Sequence, residues 1–87
     1  MTIFELRNAE LVSEFDRYMR EHPEFADSIP DNALVALLLE GDEEFNEWSR
    51  KGAQEQAEED QPIVYVKIKH LGPARSRIRK LELTQGV

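Results

Sequence analysis

Few side chains in this sequence could carry chemistry. His22 and His70 are the only imidazoles and there is no cysteine. Thiolate nucleophiles, thiolate metal sites and disulfides are therefore excluded together. His22 precedes Pro23 at the end of a helical pattern, where an imidazole acts as a dipole partner or solvated cap. His70 ends a strand pattern on its core-facing register, where a satisfied, half-buried histidine is the simpler reading. Ser13, Ser28, Ser49 and Ser76 have only these two histidines as bases, and no G-x-S-x-G is present, so no nucleophilic triad is expected. The glycines at 41, 52, 72 and 86 are too far apart for a dinucleotide or P-loop cradle. Glu40, Asp42, Glu43, Glu44 and Glu47 do not follow calcium-loop spacing and have no adjacent histidine for a transition metal. They read as the capped, dipole-compensated start of a helix. Glu55, Glu58, Glu59 and Asp60 read as a solvated helix end. The sequence thus points to no catalytic residue, no metal ligand and no cofactor site, and the chain is expected not to be an enzyme.

The basic group offers more. The formal charge of -7 is unevenly distributed: residues 1–60 hold seventeen of the eighteen acids, and residues 61–87 hold six of the eleven bases. Tyr65, Lys67 and Lys69 alternate onto one face of a strand pattern, with Arg75, Arg77, Arg79 and Lys80 on and after the following turn. A ring beside cations is the raw material of a single-strand nucleic-acid surface. The competing reading is that these bases pair with the acidic helices or guard an edge strand, and the acidic body repels phosphates from most directions.

The positioning elements follow from periodicity. Thr2 and Glu5 suit a capping box, and apolar residues at 4, 11, 12, 15, 18 and 19 continue an amphipathic helix that Pro23 ends. Pro23 opens a short helical turn before a Pro-Asp-Asn turn, with Phe25 and Ile29 expected to pin this linker to the core. The run Ala33 to Leu39 lies between turn signals and reads as a strand buried on both faces. Asp42 caps a second long helix from about 43 to 58, whose buried stripe is expected to run from Phe45 and Trp48 into Gly52, Ala53 and Ala57. Trp48 is placed between this helix and the sheet. Residues 62–70 form the clearest strand, with Val64, Val66, Ile68 and His70 facing the core. The basic segment 72–87 is either a third edge strand or a tail, and a strand there needs a bulge because Ile78 is out of phase with Leu81 and Leu83.

The successive segments NAELVSEFDRYMREHPEFADSIPDNALV, LEGDEEFNEWSRK and QPIVYVKIKHLGPARSRI resemble a small prokaryotic family known only as a domain of unknown function. The resemblance spans roughly residues 8–83. Its motifs are packing and turn residues, so it implies a shared fold and no site.

With 87 residues, one domain is expected, with only about 60–65% of the unfolded surface buried. The expected fold is a small two-layer α/β domain, αβαβ(β), with parallel strands joined by a right-handed crossover helix. The opening MTIFELRN shows no basic segment followed by an apolar stretch, and no apolar run approaches a membrane span. A cytoplasmic protein without membrane contact is expected. A strand apolar on both faces beside one that is polar on one face leaves apolar surface to be covered, either by the first helix or by a second copy. Leu34 and Leu37, on opposite faces, are the candidate self-association positions, and a homodimer is expected. The functional expectation is a non-enzymatic interaction or regulatory protein acting on an unknown protein partner. The alternative is single-stranded nucleic-acid binding.

Overall fold

The computed structural model describes residues 2–71 and 78–85, of which residues 70, 71, 79 and 80 are described by backbone alone. Helix α1 (Ile3–Glu21) opens on the expected capping box. The Thr2 hydroxyl accepts from the Glu5 N–H at 3.2 Å, and the Glu5 carboxylate accepts from the Thr2 N–H at 2.8 Å, satisfying two of the donors that a helix start leaves free. Pro23 at N1 begins the short α2 (Pro23–Ala26) directly afterwards. Strand β1 (Leu34–Leu39) leads through Gly41, at φ 91°, into α3 (Glu43–Gln56). That backbone conformation is one side chains with a Cβ resist. Strands β2 (Ile63–Leu71) and β3 (Ile78–Gln85) follow. The sheet has the order β1-β2-β3, parallel between β1 and β2 and antiparallel between β2 and β3. This is the small α/β domain expected, and the basic segment from Ile78 is a strand.

Alternation builds the core. Val64, Val66 and Ile68 of β2 and Leu37 of β1 meet Leu11 and Phe15 of α1 and Phe45 of α3. Phe25 and Ile29 pack against the same cluster, as the linker reading expects. Ile78 joins it through two register shifts: one lies between Ile68 and His70, and the next, between His70 and Leu71, adds a residue to β3 at Arg79. The second shift returns Ile78, 6% exposed, to the core face.

Two expectations change. Trp48 is half-buried rather than enclosed under the sheet. Its ring lies 5.7 Å from Phe4 of α1 and 5.7 Å from Phe45, so it joins the two helices. The stripe that α3 buries is instead Phe45, Asn46, Ser49 and Ala53. The doubly apolar β1 also needs no second copy to cover most of it. Leu37 is buried in the α1 cluster, and Ala36 and Leu38, on the opposite side of the strand, are 6% and 3% exposed within one chain. Only Leu34 and Val35, at the start of the strand, stay half-buried among its first five residues.

Candidate functional site

The Leu34 N–H donates to the Pro62 carbonyl at 2.8 Å and the Glu40 N–H to the Ile68 carbonyl at 2.9 Å. Backbone direction alternates along a strand. The even residues of β1 therefore bond β2, and the peptide groups of Val35, Leu37 and Leu39 point away from the sheet. Helix α3 runs back along this edge and packs against β1. Its side chains stand in for a missing strand. Asn46, 2% exposed, accepts from the Leu39 N–H at 2.7 Å through Oδ1 and donates to the Leu39 carbonyl at 2.8 Å through Nδ2. One turn later, the buried Ser49 hydroxyl donates to the Leu37 carbonyl at 2.8 Å.

The next position on that stripe is Ala53, preceded by Gly52, and neither has a polar side chain to offer Val35. The helix and the strand edge there enclose a groove of about 320 Å³, lined by Leu34, Val35, Trp48, Ser49, Gly52 and Ala53. Among the described residues, no hydrogen bond reaches the outward N–H and C=O of Val35. Gly52 is not required by packing: a Cβ built on it meets nothing within 4 Å. A helix-interior glycine costs about 0.5–1 kcal/mol relative to alanine, so this helix carries a cost at the point where the groove is open. Lys51, Glu55 and Gln56 form the polar rim on the α3 side, and Asn8 of α1 also lines the groove.

The sequence-derived candidates lie elsewhere. His22 caps α1, its Nδ1 at 3.0 Å from the Tyr18 carbonyl and its ring stacked on Tyr18 at 4.0 Å; it makes no side-chain cap bond to α2. His70 is in β2, opposite Lys80. Asp42 caps α3, accepting from the Phe45 N–H at 3.3 Å, and also pairs with Arg7 of α1. Among the described residues, no group of three or more His, Cys, Asp or Glu is arranged to hold a metal ion, and no helix is long and apolar enough to cross a membrane.

Tyr65, Lys67 and Lys69 share a sheet face as expected, but each is half-buried. Glu82 of β3 stands opposite Lys67 and pairs with Lys69 at 3.1 Å, and Thr84 stands opposite Tyr65. Arg79 and Lys80 lie in β3, while Arg75 and Arg77 fall outside the described residues. A carboxylate in the middle of this face offsets part of its positive charge. The protein is therefore expected to leave single-stranded DNA and RNA unretarded in a gel at low salt, where counterion release favours binding most. A salt-steep affinity abolished by Tyr65→Ala would make this face a nucleic-acid surface.

Asn46 carries no chemistry that marks it in the sequence, and Ser49 enters there only as a serine without a base. Their signal is their spacing: 46, 49 and 53 form one helical stripe, and two polar residues sit where apolar ones are usual.

No curated protein and no solved structure matches the chain significantly. A family model matches residues 3–81, nearly the whole of the described fold, and the chain belongs to that family, the "Family of unknown function (DUF5647)".

Proposed function

We propose that this chain is a non-enzymatic interaction protein that binds an extended segment of another protein in the groove between β1 and α3. The observation that carries this reading is the open peptide unit of Val35 facing Gly52 in an α3 stripe that otherwise satisfies the β1 edge. An extended chain offers a main-chain donor and acceptor to such an edge, which is how strand addition generates affinity. Leu34, Trp48 and Ala53 supply apolar surface for its side chains.

Gly52 tests the reading. Gly52→Ala should raise stability by about 0.5–1 kcal/mol in urea denaturation, because it removes backbone entropy and its methyl meets open space. Gly52→Leu should remain folded and fill the groove. A photo-reactive residue at Lys51 should form one discrete protein adduct in the cell of origin, lost in the Gly52→Leu background and missing when the probe stands at Asp16. A synthetic peptide covering the crosslinked segment should then shift Trp48 emission. No adduct at Lys51, or the same adduct from both positions, would defeat the groove as a binding site.

A further inference from the structure

The two outer strands of the sheet are finished differently. Asn46 and Ser49 occupy much of the β1 edge, whereas β3, among the described residues, pairs only with β2. It is an eight-residue strand, long for an unpartnered edge, and Glu82, Leu83, Thr84 and Gln85 are exposed, with Leu83 at 36%. An edge of this length presents a row of free peptide groups to any chain that can pair with it.

We propose that β3 pairs antiparallel with β3 of a second copy about a two-fold axis at Leu81, continuing the sheet through a homodimer. The spacing of charges selects both occupant and register. Edges that repel their own copies carry like charges, commonly lysines. This strand carries Lys80 and Glu82 two residues apart with Leu81 between them. Around an axis at Leu81, Lys80 lies opposite Glu82 of the partner subunit, and by symmetry Glu82 lies opposite Lys80 of the partner subunit. Opposite charges directly across an antiparallel pair are favourable, and like charges are unfavourable.

Moving the axis to Lys80 or Glu82 sets that residue against its own copy. Moving it to Leu83 sets Glu82 against Thr84 and gains no charge pair. Leu81 already packs on the core and Leu83 shares its face, opposite Val66 as Leu81 is opposite Ile68. The axis at Leu81 brings Leu83 diagonally beside Leu81 of the partner subunit, within reach of long side chains. Because the register shift at Arg79 ends the regular strand, the symmetric ladder runs only from Lys80 to Glu82 of each copy, a short seam centred on Leu81. The pairing leaves the in-chain bond between Lys69 and Glu82 in place, since a carboxylate accepts from more than one donor. A homodimer is thus assigned to the β3 edge rather than to Leu34 or Leu37. It is independent of the groove, which lies on the opposite edge.

Charge exchange in the full chain tests the register. In sedimentation equilibrium at low salt and on the order of 10–100 μM, the wild type should weigh twice its 10.1 kDa chain. Lys80→Glu, which leaves the Lys69 pair untouched, should weaken the dimer on the order of ten-fold, because both symmetry-related pairs turn repulsive. Glu82→Lys should weaken it at least as much, since it also removes the in-chain pair with Lys69 and sets a lysine opposite Lys67. The double variant Lys80→Glu/Glu82→Lys should dimerise more tightly than either single variant, because both symmetry-related pairs are attractive again, while the lost Lys69 pair keeps it weaker than wild type. Hydrogen exchange of β3 amides should slow with rising concentration in the wild type and the double variant. Circular dichroism separates loss of the dimer from loss of the fold. A monomer at every concentration, a dimer indifferent to Lys80→Glu, or single variants whose loss the double does not lessen would each overturn the interface.

Discussion

Asn46→Ala is expected to be among the most damaging substitutions in this protein, costing roughly 2–5 kcal/mol, although it removes a polar residue from a helix and replaces it with the best helix former. The side chain holds both peptide groups of Leu39 from a position 2% exposed to solvent. Truncation leaves a part-buried donor and a part-buried acceptor without partners, each worth about 1–3 kcal/mol in lost compensation. Ser49→Ala breaks only the bond to the Leu37 carbonyl and should cost about half as much. Urea denaturation read by circular dichroism orders the two. A loss below that of Ser49→Ala would mean that water replaces the amide without penalty at the β1 edge.

Asn46→Asp separates geometry from bulk. The carboxylate can still accept from the Leu39 N–H, but its second oxygen faces the Leu39 carbonyl, and only the protonated acid restores a donor there. The folded-state pKa of the introduced acid is therefore raised above its unfolded value of about 3.9. The sign follows from linkage. Stability associated with the protonated form is fully present below the unfolded pKa, is lost as pH rises, and is gone above the folded pKa. The variant should thus be weakest near neutrality and recover toward wild type on acidification. A deficit that is flat from pH 4 to 8 would place the side chain away from the Leu39 carbonyl.

Phe45→Ala is the second large effect, at about 3–5 kcal/mol for a fully enclosed phenylalanine. Phe45 has no exposed surface and ties α3 to both the sheet and α1. It packs in the cluster with Leu37 and Val66 of the sheet, meets Phe4 of α1 edge-on at 6.2 Å, and lies 5.7 Å from Trp48. Trp48→Ala should cost less despite removing more atoms, because the indole is already half in water. Thermal denaturation of the two variants compares them, and a double-mutant cycle between Phe4 and Phe45 should return a coupling of about 0.5–1.5 kcal/mol. A larger loss at Trp48 than at Phe45 would reverse their placement between helix and sheet. In a Phe45→Ala variant that stays folded, Trp48 emission should move to the red as α1 loosens.

The elements themselves are legible in the sequence because their signals are local. The Thr2–Glu5 box, Pro23, the Asp42 cap and the strict alternation from Ile63 to Lys69 each act within a few residues of chain, and β1, α3 and β2 lie within about two residues of their expected bounds. Parallel pairing of β1 and β2 is also readable, since a strand, a helix and a strand leave a crossover as the natural connection. The need for a bulge before Leu81 could be stated from phase alone.

What the chain pattern could not decide is where α3 lies relative to the sheet. A helix laid over a sheet buries its apolar stripe, and that assumption places Trp48 inside and gives no reason to bury Asn46 or Ser49. In the fold, α3 runs along the free edge of β1. An edge demands hydrogen bonds where a face demands hydrocarbon. Two polar residues are therefore buried, the indole is turned toward α1, and the position after them, at Gly52 and Ala53, is left open. Local spacing determines which residues form helices and strands in this protein, but whether a buried position must be polar depends on the unpaired peptide groups of another segment, and only tertiary structure brings the two together.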